Sequence, residues 1–248
     1  MSRKVIEHTG VPGARSVPAA ELGPVVVAVN PTVWGLRAFE WAARRARDIG
    51  TELQVFEVDG LPDLPGHPVV GEVMALLPGL IVHFRQTGES LTSDLLTAAA
   101  SARCIVLGAG AMERAAHVLP VVAGAGCDAV IVRGLPSAVR GEHGVVAAAV
   151  GGPADQRVID RAAMECRRRG ARLEVLHAQS AFCGDHMLDD LNAPGVEMVF
   201  ACHRGLPHEL LALTEADLLV VGRGRPGHVG SATKAAIYHS RGPVLIVT

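Results

Sequence analysis

The chain has 248 residues, of which 49% are hydrophobic and 19% are charged, and this composition excludes a disordered or fibrous protein. Basic residues number 23 and acidic residues 25, so there is no basic field for nucleic acid. No apolar run is long enough to span a membrane. Five scattered cysteines without a CxxC pair favour a reducing compartment, and we predict a cytoplasmic protein.

The first half of the chain begins with a glycine- and proline-rich segment, residues 1–23, which predicts a flexible leader. Residues 24–29 form a short β-branched run typical of a strand buried on both faces. Asn-Pro-Thr at 30–32 is a helix-start signal, and apolar residues at steps of three and four predict an amphipathic helix that ends at Gly50. Residues 53–58 predict the next strand.

The second half of the chain repeats the first. Residues 50–55 match residues 170–175, and residues 104–110 match residues 218–224. Strands joined by helical crossovers must be parallel, so each half predicts an α/β domain with helices on both faces of its sheet. We place the first domain at 24–134 and the second at 144–248, with the boundary in the charged, glycine-containing stretch between them.

The loop after the predicted strand at 218–222 is the best candidate for a ligand site. Ligands of open parallel sheets bind beyond the carboxyl ends of the strands, where the strand order reverses. Glycines let backbone N–H groups approach a phosphate, arginines add charge, and a serine can cap the following helix. The alternative is a tight turn in which the glycines serve geometry alone. The loop contains Gly222, Arg223, Gly224, Arg225, Gly227, Gly230 and Ser231.

The sequence resembles the universal stress proteins over roughly residues 24–248. The similarity is carried by the segments 27–30, 38–43, 216–222, 230–231 and 242–247. It implies two doubly wound units of the adenine nucleotide alpha hydrolase type, each with five parallel strands. In family members that bind ATP, an Asp closing the first strand and a glycine-rich loop hold the nucleotide.

The chain departs from the family pattern at the positions that hold the nucleotide. Asn30 stands where the family has Asp, and the second half has glycines at 151–152 with no carboxylate. In the family loop nine residues separate the second glycine from Gly-Ser, whereas here only two separate Gly227 from Gly230. The first half has alanines at 115–116 in place of Gly-Ser.

Two functions therefore stay open. We expect a non-enzymatic stress-response protein with a vestigial nucleotide site that acts through contacts with an unknown protein or through dimerisation. The alternative is a regulator that binds ATP or another adenine nucleotide with the C-terminal loop, for which Asn30 is a further candidate contact. No GxSxG, HExxH or phosphate-binding Gly-Lys-Ser/Thr motif is present, so the sequence predicts no catalytic residues.

The resemblance also predicts how the two units associate. In the family, the last strands of two units pair across a dimer axis. Residues 129–132 and 244–247 are the last strands here, and their pairing within the chain would make an intrachain pseudo-dimer. Pairing would also remove an exposed apolar edge. A homodimer of the whole chain is the alternative.

Two further groups of side chains have both a functional and a plain interpretation. One set of nitrogen and sulfur ligands suits zinc, but its spacing matches no zinc pattern, and we predict no metal. That set is His177, Cys183, Asp185, His186, Cys202 and His203. Trp34 and Trp41 lie two turns apart on the first predicted helix, where they either pack inside the protein or form a partner surface.

Overall fold

The structure is a computed structural model that describes residues 3–6, 23–58, 64–109, 117–179, 188, 190–225 and 227–248. The chain forms two compact units: one is built mainly from residues before Gly134 and also takes in Arg225–Val229, and the other is built mainly from residues after Arg133. We name them the N-terminal unit and the C-terminal unit. A short strand near the start of the chain, β1 (Arg3–Ile6), is part of the C-terminal unit.

The elements of the N-terminal unit alternate between strand and helix. They are β2 (Val25–Val29), α1 (Val33–Asp48), β3 (Leu53–Glu57), α2 (Pro68–Leu76), β4 (Val82–Gln86), α3 (Leu91–Ala99), β5 (Cys104–Gly108), α4 (Leu119–Gly124) and β6 (Asp128–Val132).

The C-terminal unit follows the same alternation after a short connecting helix. Its elements are α5 (Pro136–Arg140), β7 (Val145–Ala149), α6 (Gln156–Arg169), β8 (Arg172–Gln179), β9 (Met198–Arg204), α7 (Pro207–Leu213), β10 (Leu218–Gly222), α8 (Ser231–His239) and β11 (Val244–Val247).

The sheet of the N-terminal unit has the order β6-β5-β2-β3-β4, and all its pairs are parallel. Val27 in the central strand lies opposite Val55 of β3 and Val106 of β5. All five residues of β2 are buried, which is why its sequence is a continuous apolar run rather than an alternating one.

The sheet of the C-terminal unit has the equivalent order β9-β8-β7-β10-β11, again all parallel. Strand β1 is added at the edge, antiparallel to β9, with Ile6 opposite Met198. The prediction of two doubly wound α/β units with five parallel strands each is confirmed. The pairing of the two last strands as an intrachain pseudo-dimer stays a prediction.

The predicted leader overlaps β1, and residues 7–22 lie outside the described part of the chain. The flexibility of the leader therefore stays a prediction. Among the described residues, none of the helices combines the length and the apolar character needed to cross a membrane.

A buried carboxylate fixes the start of β7. Asp217 is 1% exposed and precedes β10, the strand next to β7. Its two oxygens accept hydrogen bonds from the backbone N–H groups of His143 at 2.8 Å, Gly144 at 2.7 Å and Val145 at 3.3 Å. A buried carboxylate is tolerated only with such partners, so this side chain holds the two central strands together at their amino ends.

Candidate functional site

Strand order reverses once in each unit, and that point is the expected ligand crevice of an open parallel sheet. In the N-terminal unit it lies between the carboxyl ends of β2 and β5, and in the C-terminal unit between those of β7 and β10. In both units the first turn of the helix after the central strand packs against the end of the neighbouring strand, at Trp34 and Gly108 in one and at Val158 and Gly222 in the other.

The first turn of α1 fills the crevice of the N-terminal unit. A Cβ on Gly35 would overlap both the carbonyl oxygen and Oδ1 of Asn30. A Cβ on Gly108, at the end of β5, would lie 2.5 Å from the carbonyl oxygen of Trp34. Glycine at both positions lets the helix backbone pack directly onto the strand ends.

Asn30, the first-unit candidate for nucleotide contact, is engaged in starting α1. Its Oδ1 accepts a hydrogen bond from Oγ1 of Thr32 at 2.7 Å. Thr32 is the N-cap of α1, and its Oγ1 accepts from the N–H of Gly35 at 3.2 Å. The asparagine is thus part of a helix-capping arrangement, and its contact with a nucleotide stays a prediction.

The loop after β10 in the C-terminal unit turns back onto the end of that strand. The N–H of Gly230 donates to the carbonyl oxygen of Arg223 at 3.0 Å, and Oγ1 of Thr233 donates to that of Gly222 at 2.6 Å. Gly224 has φ +96° and Gly227 has φ +72°, which other residues adopt only with strain. The glycines of the loop therefore allow a tight turn that leads into α8.

The prediction that Ser231 caps α8 is wrong by one residue. Gly230 is the N-cap, and it has no side chain to accept from the first turn. Ser231 is the first helical residue and is exposed. The N–H groups of the first turn of α8 have no side-chain cap, and they lie at the end of the helix whose dipole attracts an anion.

Basic residues flank the uncapped start of α8 in the sequence. Arg225 and His228 in the loop and Lys234 in the first turn and a half of α8 are exposed. None of the three side chains has an ion pair within the described part of the chain. A phosphate at the start of α8 would meet the helix dipole, and Lys234 lies on the same helix.

Sequence reasoning missed a carboxylate at the end of β7. Oδ2 of Asp155 accepts a hydrogen bond from the N–H of Gly151 at 2.6 Å. The family pattern places an Asp at 151 or 152, and the Asp155 carboxylate contacts the Gly151 backbone from four residues further along the chain. The available signal was Gly-Gly-Pro-Ala-Asp before a helix, since Asp often folds back onto a preceding turn.

His177, a candidate zinc ligand, lies near the end of β8 and is only 4% exposed. Its Nδ1 lies 3.0 Å from the carbonyl oxygen of Val150. Because a carbonyl can only accept, Nδ1 carries a hydrogen, and Nε2 is buried without a hydrogen-bond partner in the described residues. This histidine is a packed core residue held to the end of β7.

The other candidate zinc ligands do not assemble around it. Cys202 is opposite His177 on the next strand, and His203 follows with its side chain on the other face of the sheet. Cys183, Asp185 and His186 lie outside the described residues. Within the residues that the structure describes, no three His, Cys, Asp or Glu side chains are grouped as metal ligands would be.

Two cysteine thiols have low reactivity. Burial raises the pKa of the Cys127 thiol from 9.0 to about 12, and the nearby Cys104 and Asp128 add to the shift. Burial likewise raises the pKa of the Cys166 thiol to about 12, with a further contribution from the charge of Glu165. Both thiols stay protonated at neutral pH, which is the opposite of what a nucleophile needs.

The interpretation of the two tryptophans as a partner surface is wrong for Trp41. Its ring is 4% exposed, and the guanidinium of Arg45 lies 5.8 Å from the ring centroid. Trp34 is half-buried, with the guanidinium of Arg37 5.0 Å from its ring centroid. The Trp41 side chain is part of the core of the N-terminal unit.

Two doubly wound units with a glycine-rich loop at one switch point define an α/β binding fold, and solved structures of this fold are known. No protein-family model and no curated protein matches the sequence. A universal stress protein from Archaeoglobus fulgidus DSM 4304 is 17% identical, with a TM-score of 0.70, over 90% of this chain and 98% of that one.

Two further solved structures match over most of their length. A candidate universal stress protein from Pseudomonas aeruginosa UCBPP-PA14 is 15% identical with a TM-score of 0.61, over 93% of this chain and 95% of that one. The cytoplasmic domain of a prokaryotic cation chloride cotransporter is 14% identical with a TM-score of 0.60, over 91% of this chain and 95% of that one. The chain therefore has the universal stress protein fold, and at these identities the likeness establishes the fold alone.

Proposed function

We propose that this chain is a universal stress protein-like binding protein that takes one adenine nucleotide in its C-terminal unit. The observation that carries the proposal is the uncapped start of α8, which follows the β10 loop at the point where the strand order reverses. The nucleotide phosphates bind there, because backbone N–H groups, the helix dipole and exposed cations all favour a polyanion.

Asp155 supplies the carboxylate for the other end of the ligand. It lies at the start of α6, where Oδ2 accepts from the N–H of Gly151 beyond the end of β7, and its second oxygen is not used by that N–H. A carboxylate accepts strongly from vicinal hydroxyl groups, so we assign Asp155 to the ribose. This assignment restores the acidic residue that the aligned position lacks.

The N-terminal unit takes no nucleotide in this proposal. Its crevice is filled by the backbone contact of Gly35 with Asn30, and Asn30 is occupied by the Thr32 cap. We also propose binding without turnover, because the described crevice residues include no activated nucleophile, and the Cys127 and Cys166 thiols stay protonated.

Calorimetric titration with ATP tests the proposal. We expect about one nucleotide per chain for the unaltered protein and loss of binding in Gly230→Asp. Gly230 has φ −61°, and an added Cβ would have its nearest neighbours at 3.6 Å, so the side chain fits. The new carboxylate would cap α8 and repel phosphate, so the variant loses ATP without losing the helix.

Gly71→Asp is the matched control, because a Cβ there meets nothing within 4 Å and the same charge is added on α2, which is not part of the β10 loop. It should bind ATP as the unaltered protein does. No heat at millimolar ATP would contradict nucleotide binding and would leave the vestigial site as the better description. Equal binding by Gly230→Asp would remove the β10 loop from the site.

Action through protein contacts is the second candidate function, and it rests on an exposed apolar surface of α7 and α8. Leu206 is 57% exposed and Leu213 is 64% exposed at the two ends of α7. His208 on α7 contacts His239 on α8, with ring centroids 5.6 Å apart, and Tyr238 lies beside it at 36% exposure. Sedimentation of the Leu206→Gln, Leu213→Gln variant against the unaltered protein tests it, because loss of a dimer would place the contact on this surface.

A further inference from the structure

The N-terminal unit contains a cavity at the amino ends of its strands, opposite the edge where the switch-point crevices lie. It encloses about 590 Å³, which is within the range of small-molecule sites. The cavity lies between the C-terminal end of α1 and the turn that leads into β4. It is lined by Pro24, Ala46, Arg47, Gly50, Thr51, Glu52, Gly79, Leu80 and Ile81.

The walls of the cavity combine an apolar floor with an open mouth. Leu80 is 8% exposed, whereas Ile81 is 55% exposed, so the apolar lining continues to the surface. Gly50 has φ +67° and Gly79 has φ +81°, and a Cβ on Gly50 would meet nothing within 4 Å. These left-handed turns keep the rim free of side chains.

Two oppositely charged side chains line this cavity without forming an ion pair with each other. Arg47 is exposed, and its guanidinium has no hydrogen bond or ion pair with any described residue; it lies 3.9 Å from where a Cβ on Gly79 would be. Glu52 contacts Nε2 of His83 at 3.3 Å and does not reach Arg47. A cavity with an unpaired cation and a separate carboxylate suits a ligand that carries both charges.

The end of α1 adds to the negative side of this arrangement. The carbonyl end of a helix carries a partial negative charge, which favours an ammonium group. The last carbonyls of α1 already accept from the N–H groups of Ile49, Gly50 and Thr51, so they contribute through the dipole rather than through free hydrogen bonds. The other side chains of the lining are apolar except for Thr51, whose hydroxyl donates a hydrogen bond to the carbonyl oxygen of Gly23.

We propose that this cavity binds a small zwitterion with an apolar body, of the amino-acid class. Arg47 takes the carboxylate, Glu52 and the end of α1 take the ammonium group, and Pro24, Leu80 and Ile81 contact the apolar part. The site belongs to the N-terminal unit and is independent of the nucleotide proposed for the C-terminal unit.

Saturation-transfer NMR and calorimetry with three probes test the site on the full chain. The probes are L-phenylalanine, 3-phenylpropionate, which lacks the amine, and 2-phenylethylamine, which lacks the carboxylate. We expect L-phenylalanine to bind at least tenfold more tightly than either analogue. Arg47→Gln should weaken L-phenylalanine at least tenfold and leave 2-phenylethylamine unchanged, and Glu52→Gln should weaken L-phenylalanine and leave 3-phenylpropionate unchanged.

A blocking variant locates the binding. Ile81→Trp fills the mouth from an exposed position and should abolish transfer to L-phenylalanine. Val33→Trp is the matched control, since Val33 is 54% exposed and does not line the cavity. No transfer to L-phenylalanine at about 10 mM, which corresponds to binding weaker than about 3 kcal/mol, would overturn the proposal. Binding that survives Ile81→Trp would overturn it as well.

Discussion

Oδ2 of Asp155 lies 2.6 Å from the backbone nitrogen of Gly151, and this single hydrogen bond brings a carboxylate to the end of β7. Asp155 lies at the start of α6, four residues after Gly151, so the hydrogen bond closes the turn between β7 and α6.

Asp155→Asn should separate ribose binding from phosphate binding. The asparagine oxygen can still accept from Gly151, so we expect stability within about 0.5 kcal/mol of the unaltered protein. ATP should bind about tenfold more weakly because a charge-assisted hydrogen bond is lost, whereas inorganic triphosphate should bind unchanged. Parallel calorimetric titrations measure both, and unchanged ATP affinity would remove Asp155 from the site.

Gly35→Ala should destabilise the N-terminal unit even though alanine favours helices. The added Cβ would overlap Asn30, and we expect a loss of about 2 kcal/mol or more. Gly71→Ala is the control, because Gly71 is on α2 with nothing within 4 Å, and it should gain about 0.5–1 kcal/mol. Urea unfolding followed by tryptophan fluorescence reports on this unit alone, since both tryptophans are on α1. A neutral Gly35→Ala would mean that the crevice is open.

Asp217→Ala should loosen the start of β7. Three backbone N–H groups lose their acceptor, and we expect a cost of about 2–4 kcal/mol. Hydrogen exchange at His143, Gly144 and Val145 should accelerate together in the variant. Asp160→Ala, on the exposed side of α6, should change stability by less than about 0.5 kcal/mol. Protection that persists at all three amides would show that the carboxylate does not hold the strand.

The stability of the protein should fall as the pH rises from about 9 to about 12. The pKa of the Cys127 and Cys166 thiols is raised to about 12 in the folded state, whereas the unfolded chain loses these protons near 9. Their contribution is therefore complete below about pH 9 and is lost as the pH approaches 12. Few other groups interfere, because Tyr238 is the only tyrosine and Lys4 and Lys234 are the only lysines.

Denaturant unfolding at a series of alkaline pH values measures this dependence, and Cys166→Ala should show a shallower decline. Alkylation gives an independent check. Iodoacetamide at pH 8 should leave both thiols unmodified in the folded protein and modify them in urea. Rapid modification of Cys166 in the folded state would contradict its protonated, buried character.

The fold could be predicted because its signals are local. The apolar run at 25–29 predicts a strand, and the periodic apolar residues before Gly50 predict a helix. The same signals recur after residue 144 and predict the second unit. Parallel pairing then follows from the crossovers. These features do not depend on knowing which residues meet across the fold.

The details of the site depend on which residues contact each other in the folded chain, and they were harder to predict. The sequence predicts Ser231 as the cap of α8, and only the backbone conformation at the end of the loop shows that Gly230 is the N-cap. Asp155 reaches Gly151 only because the intervening turn bends the chain back. The filling of the first crevice by Gly35 is likewise a packing result that no single residue reveals.

Strand β1 is synthesised early, but it pairs with a strand that is synthesised late. Residues 3–6 leave the ribosome well before their partner strand β9, which is roughly 190 residues later in the chain. The N-terminal unit can complete its own sheet while β1 still waits for its partner. Closing the edge of the second sheet is therefore a late, long-range event in folding, and a fusion or truncation at the N-terminus acts on the unit that is made last.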